Sequence, residues 1–385
     1  MKNARNPLIV SALALALAAC SGNAPQTGNE AAADNAAAET LGNAVILANA
    51  SADAVGPDGR KYLSQPLTTE IYTADPSAHV WGDGKLYVYG SHDIDGDAKE
   101  DDLGSHFEMR DYRVLSMDEP GGKTTVHPVA LDVKDVPWAS QQMWAPDAAF
   151  KNGTYYLYFP AKDKQGAFRI GVATSKSPVG PFKANPEPIK NSFSIDPAVF
   201  ADGNDHYMIW GGIWGGQLQR NTTGTYDPNG SKTDAGKPNE PALAPKIAKL
   251  NGDMMEFAEA PRDIRIVDEA GKPILGGDTD RRFFEAAWMH KRGDTYYLSY
   301  STGDTHYLVY ATGKSPYGPF TYRGRILEPV NGWTSHHSIV DWKGKSYLFY
   351  HDVQLSGQTR LRNVKMTELK YNPDGSIQTI DPFAK

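Results

Sequence analysis

At 385 residues and 40% hydrophobic content, the chain is long enough for one large domain or two ordinary ones with a real core. Its formal net charge of -7 excludes the clustered Lys and Arg that phosphate binding needs, so the expected partner is a neutral polymer or small solute and not nucleic acid. With 20 Tyr, 8 Trp, 37 Gly and 26 Pro, many short strands joined by turns are favoured over long helices, which predicts an all-β architecture.

The chain opens on MKNARNPLIVSALALALAAC, with Lys2 and Arg5 ahead of an apolar run from Leu8 and small residues before Cys20. That is the order of a secretory signal, and the apolar run is too short for a comfortable membrane span. Leu17-Ala18-Ala19-Cys20 also resembles a bacterial lipobox, which implies lipidation of Cys20 and a membrane anchor at the mature N-terminus. Ser21 extends the resemblance to lipoproteins of the outer membrane, so the expected location is the cell envelope, facing periplasm or surface. Cys20 is the one cysteine, so no disulfide framework is available and stability has to come from the core. Residues 21–61, rich in Ala, Asn, Gly and Asp, read as a flexible linker, and the folded domain is expected over residues 62–385.

Five phrases then lead a turn into an aromatic strand: DGKLYVYGS, NGTYYLYFP, GNDHYMIWGG, RGDTYYLSYS and KGKSYLFYHD. Their apolar and aromatic residues suit burial on both faces, as in sheets packed between other sheets. Two copies carry a later mark, SKSPVGPF and GKSPYGPF, at matching offsets, so one structural unit recurs. Five blades arranged radially, a five-bladed β-propeller, are the natural reading.

What precedes each strand carries the chemistry. Asp75 lies 9 residues before Gly84, Asp196 lies 7 before Gly203, Glu285 lies 8 before Gly293 and His336 lies 8 before Gly344. In a propeller the innermost strands line the central channel, so corresponding positions converge on one pocket. Three carboxylates there suit inverting glycoside hydrolysis, in which a base activates water and an acid protonates the leaving oxygen across a gap of roughly 6.5–9.5 Å. The third carboxylate raises the pKa of the acid beside it.

The phrases ADPSAHVW, MWAPD, SIDPAVF, FFEAAWMHKRGDTYYLSYS and TSHHSIVDWKGKSYLFYHD together resemble glycoside hydrolase family 43, from about Glu70 to Ile380. The resemblance implies a five-bladed propeller in which Asp75 is the general base, Glu285 the general acid and Asp196 the carboxylate that orients and tunes it. Glu259, in FAEAPRD, is the rival acid, but no comparable strand follows it. Asp147, in WAPD, lies off the register and reads as structural or as pocket wall.

Residues 215–262 read as an insertion decorating the pocket rim. Trp144, Trp214 and Trp288, with Trp138, are candidates for a wall that stacks on sugar faces, although most propeller tryptophans are core. Arg362 is a candidate donor to sugar hydroxyls, with a surface salt bridge as its alternative. The run DIDGDAKEDD lacks the Gly and Glu of a calcium-binding EF-hand loop and reads as a solvated acidic loop. The resemblance implies one structural calcium ion on the axis, held by a last-blade histidine and water, and no organic cofactor. His336 and His337 are the candidates, of which only one can face the channel, His336 by register.

The resemblance further implies an oligosaccharide substrate from xylan, arabinoxylan or arabinan. An exo-acting enzyme releasing β-D-xylose or α-L-arabinofuranose is the expected activity. An endo-acting arabinanase, a non-catalytic glycan-binding envelope lipoprotein and a metal-dependent lactonase are the rivals.

Overall fold

The computed structural model describes residues 53–221, 225–233, 236–333 and 336–384, within the compact unit Val45–Lys385. The signal segment, Cys20 and most of the linker lie outside the described residues.

Five sheets form the five blades. Their innermost strands are Thr73–Val80, Asp147–Lys151, Ala198–Asp202, Glu285–Arg292 and His337–Trp342. Each inner strand packs against the next, and the last against the first, which closes a ring around a channel. Each of the five repeated phrases supplies the second strand of a blade: Leu86–His92, Thr154–Asp163, Asp205–Trp210, Thr295–Ser301 and Lys345–Asp352. The leading Gly of each phrase sits in the preceding turn at positive φ, a conformation that favours glycine.

Side chains alternate across a strand, and here both faces are used. Leu86 and Val88 face blade five while Tyr87 and Tyr89 face blade two. In the same way Tyr156 and Tyr158 face blade three while Leu157 and Phe159 face blade one. Five apolar clusters result, one at each junction between blades. Each fully buried large side chain there contributes about 1.5–3 kcal/mol.

Blade five has three strands, and residues 66–67 cover its free edge. Pro66 bridges to Lys365, the Leu67 N–H donates to the Val364 carbonyl, and Tyr62 bridges to Phe383. Residues 215–262 are not wholly insertion: Lys246–Lys249 is the third strand of blade three, and the short Arg262–Asp263 pairs outside it. The departure from the blade is therefore confined to the stretch between Trp210 and Lys246, whose polar sequence hid the Ile247-Ala248 strand.

Candidate active site

The inner strands of blades one, three and four begin at one mouth of the channel. There Asp75, Asp196 and Glu285 line a pocket of ≈ 570 Å³, together with His336, Arg362, Trp144, Trp214 and Trp333. The backbone aims each carboxylate by a local departure from regular strand. Asp75 (φ 54°) and Asp196 (φ 57°) adopt left-handed conformations, and Ala286 after Glu285 does the same (φ 60°). Register slips by one residue between Ala74 and Ser77 and between Glu285 and Trp288, bulges that re-aim the side chains within them. Such conformations cost of order 1–3 kcal/mol each and persist only where neighbours hold them. For Asp75 one neighbour is His351, whose Nδ1 accepts the Asp75 N–H at 3.1 Å.

The carboxylates differ in environment. Ser91 Oγ donates to Asp75 Oδ2 at 2.6 Å, and Arg362 Nη1 donates to Asp75 Oδ1 at 2.9 Å. Burial alone would raise the Asp75 pKa. The Arg362 charge, then His351, His336 and the Ser91 hydroxyl, overcome it and hold Asp75 at about 2. Glu285 stays partly open to the pocket. Burial first and the Asp75 charge second push it up to about 7, against the pull of Arg362. Burial, then the Glu285 and Asp75 charges, push Asp196 up as well. Asp196 and Glu285 thus share a proton at neutral pH. The Ala286 N–H donates to Asp196 Oδ2 at 2.9 Å, which favours charge on Asp196 without outweighing burial and the two neighbouring carboxylates.

Of the four tryptophans considered from the sequence, two line the pocket. Trp144 is buried with Nε1 donating to the Phe107 carbonyl at 2.9 Å, and Trp214 faces the rim. Trp288 is not part of the wall. The bulge carries it between blades four and five, where Nε1 donates to the Ile339 carbonyl at 3.2 Å. Trp138 packs between blades one and two. Arg362 is neither a surface ion pair nor free for sugar alone: it is buried between Asp75 and Asp93. Asp93, the first residue of the run read as a solvated loop, is itself buried.

His336 lines the pocket with Nδ1 3.7 Å from Asp196 Oδ2, and burial lowers its pKa. His337 does not. It is wholly buried, with Nε2 2.6 Å from Ser299 Oγ of blade four. Calcium takes about 6–8 oxygen ligands, and among the described residues no group of three or more His, Cys, Asp or Glu is placed to hold a metal. The described protein groups do not complete a calcium site; an ion beside His336 would take most of its ligands from water. Glu259 lies outside the pocket, accepting from the Lys249 N–H, Tyr317 and Arg262. Asp147 ties the inner strands together, accepting from Ser77, from the Val199 N–H and, at 2.6 Å, pairing with His79.

Sequence reading missed Asp93, His351 and Trp333. Trp333 is half-exposed at the rim, its ring 6.3 Å from that of Trp214 and near parallel to it. A signal for the other two exists: His-Asp recurs at 92–93, where the second strand of blade one ends at His92, and at 351–352, the end of the second strand of blade five. Asp93 and His351 stand beside Arg362 and Asp75, whereas His92 pairs with Asp111 and Asp352 with Lys365.

A propeller whose mouth sets an ionised carboxylate, a protonated one and aromatic walls around one small pocket is the architecture of a glycoside hydrolase. The family model described as "Glycosyl hydrolases family 43" matches residues 63–377, and the chain belongs to that family. It is 57% identical over 330 residues to "Xylosidase/arabinosidase 43A" of Humicola insolens, covering 82% of this chain and 99% of that one. It is 55% identical to "Xylosidase/arabinosidase" of Bacteroides ovatus, over 80% of this chain and 95% of the other. Among solved structures, a "GH43 beta-xylosidase/alpha-arabinofuranosidase from a compost microbial metagenome in complex with xylotriose, calcium-free form" superimposes with a TM-score of 0.82 at 65% identity, covering 84% of this chain and 98% of that one.

Proposed function

We propose that this enzyme removes single pentose units, β-D-xylose or α-L-arabinofuranose, from hemicellulose-derived oligosaccharides with inversion at the anomeric carbon. The observation that carries the reading is the split protonation of one pocket, with Asp75 held at about 2 and Glu285 lifted to about 7. In this mechanism Asp75 takes a proton from a water molecule as its oxygen attacks the anomeric carbon. The bond to the leaving oxygen breaks, and Glu285 gives that oxygen its proton. Asp196, held by the Ala286 N–H, shares a proton with Glu285 and so keeps one available to the acid. Solvent then returns Asp75 and Glu285 to their starting states. The relatives named for xylosidase and arabinosidase activity support the pentose, and the xylotriose in the solved neighbour supports an oligosaccharide.

The test is hydrolysis of nitrophenyl β-D-xylopyranoside and α-L-arabinofuranoside by the chain lacking residues 1–20, with proton NMR of the first-formed anomer. Release of the inverted sugar, lost in Asp75→Ala and Glu285→Ala, is the expected result. Retention of configuration would refute the mechanism, and oligosaccharide binding without turnover would favour a glycan-binding protein.

We also propose that Cys20 is lipidated and anchors the domain in the envelope through residues 21–61. Mass spectrometry of the membrane-extracted N-terminus tests this, and a soluble Cys20→Ser protein is the expected control. A calcium ion held by His336 and water is a further proposal, and no catalytic step passes through it. Calorimetric titration of Ca²⁺ into chelator-treated enzyme should give one site that His336→Ala abolishes; no binding to the wild type would refute it.

A further inference from the structure

Asp93 heads an acidic run, yet its side chain is 0% exposed. It accepts three N–H groups of a single residue: the backbone N–H, Nε and Nη2 of Arg362, each at 2.8 Å. The other edge of the same guanidinium reaches Asp75, at 2.9 Å from Nη1 to Oδ1 and 3.3 Å from Nη2 to Oδ2. Arg362 therefore bridges two carboxylates, with its plane over the Phe107 ring at 4.6 Å. Backbone bonds fix the bridge to the strand that carries Asp75. The Asp93 N–H donates to the Tyr72 carbonyl at 3.1 Å, and the Thr73 N–H donates to the Arg362 carbonyl at 3.0 Å.

The charges make the second carboxylate necessary. Asp75 with Arg362 alone would be a neutral pair. Such a pair orients well through its two-pronged geometry, but it takes a proton from water poorly and does little for positive charge developing at the anomeric carbon. Orientation of Asp75 by a cation and preservation of its negative field conflict unless another anion takes up that cation. One cation and two anions leave the cluster with a net charge of about −1.

We propose that Asp93 is a positioning residue for the general base: it fixes Arg362 and balances its charge, so that Asp75 is oriented without being neutralised. This rests on Asp75 being the base. The other titratable groups facing the cluster are His351, His336, Glu285, Asp196, Tyr112 and His106.

The test is Asp93→Asn in the otherwise intact chain, with kcat and KM for nitrophenyl β-D-xylopyranoside measured across pH beside Asp75→Asn. The expected result is a fall in kcat of about 10²-fold with KM changed less than about threefold. The alkaline limb of the pH profile should move to lower pH, because Arg362, which pulls the Glu285 pKa down, has lost the anion that balances it. A residue that only holds the fold together would lower the folded fraction and leave that limb in place. An unmoved alkaline limb, or a raised KM at constant kcat, would overturn the proposal. Should Asp93→Asn fail to fold, the pair Asp93→Asn with Arg362→Gln carries the test, because cation and anion leave together. Its kcat should be no lower than that of Arg362→Gln alone, since Asp93 acts through Arg362; a further loss that adds in full to that of Arg362→Gln would overturn the proposal. Retained activity in Asp75→Asn would instead sink the assignment of the base, an outcome separate from every result with Asp93.

Discussion

Glu285→Gln keeps the size of the side chain and removes its proton. In the wild-type enzyme the competent form has Asp75 ionised and Glu285 protonated, so kcat/KM should stay level through the mildly acidic range and fall above about 7. The sign follows from the raised pKa: the proton is held below 7 and lost as pH rises through it. About one enzyme in ten keeps it at about pH 8, and about one in a hundred at about pH 9. The lift from 4.5 to about 7 corresponds to roughly 3 kcal/mol of preference for the neutral acid, enough to decide whether a proton is available near neutrality. In the Gln variant the alkaline limb should vanish and xylobiose hydrolysis should fall by about 10²–10⁴. A dinitrophenyl xyloside, whose leaving group departs without a proton, should lose far less. Initial rates on the two substrates across pH make the comparison. A falling limb near pH 7 that survives in the variant would assign the proton to another group, and equal losses on both substrates would show that Glu285 does not protonate the leaving oxygen.

Four further outcomes follow from the same geometry. Because the folded state holds the Glu285 proton more tightly than the unfolded chain, its contribution to stability is full below about 4.5 and lost as pH rises through about 7. Glu285→Gln should therefore melt a few degrees above wild type at about pH 8 and nearly level with it at about pH 4, read by calorimetry. Arg362→Met leaves Asp75 and Asp93 buried without their cation and should cost about 3–5 kcal/mol in urea unfolding. Trp288→Ala should cost about 3–5 kcal/mol of stability, as for any large core side chain, with KM little changed in the folded fraction. Trp333→Ala should leave stability within about 0.5 kcal/mol and raise KM for xylotriose, since this ring stands at the pocket rim.

The blades were legible because one physical rule, alternation across a strand, acts on both faces of a propeller sheet. Tyr87 and Tyr89 on one side and Leu86 and Val88 on the other write that rule into four residues. Trp288 was misread for the same reason. Its neighbour Glu285 lies on the channel, and only the intervening bulge, which no residue type announces, turns Trp288 into the junction of blades four and five. Arg362 and Asp93 were hidden differently. A polar residue in an acidic run looks solvated until a cation 269 positions away is brought onto it, and that pairing belongs to ring closure and not to any local pattern.

The unequal spacing from each carboxylate to its turn glycine, 9, 7 and 8 residues, now has a cause. Blade three pairs without a register shift and turns on two residues, 203–204. Blade four turns as tightly but adds a bulge residue. Blade one adds a bulge and a longer turn, residues 81–85. A strictly repeated spacing would have given carboxylates related by the propeller's symmetry, in similar surroundings and with similar proton affinities. The irregularities instead turn Asp75 towards Arg362 and Ser91, and set the Ala286 N–H on Asp196. Acid–base catalysis needs unlike carboxyls, and these departures from the repeat make three like residues unlike.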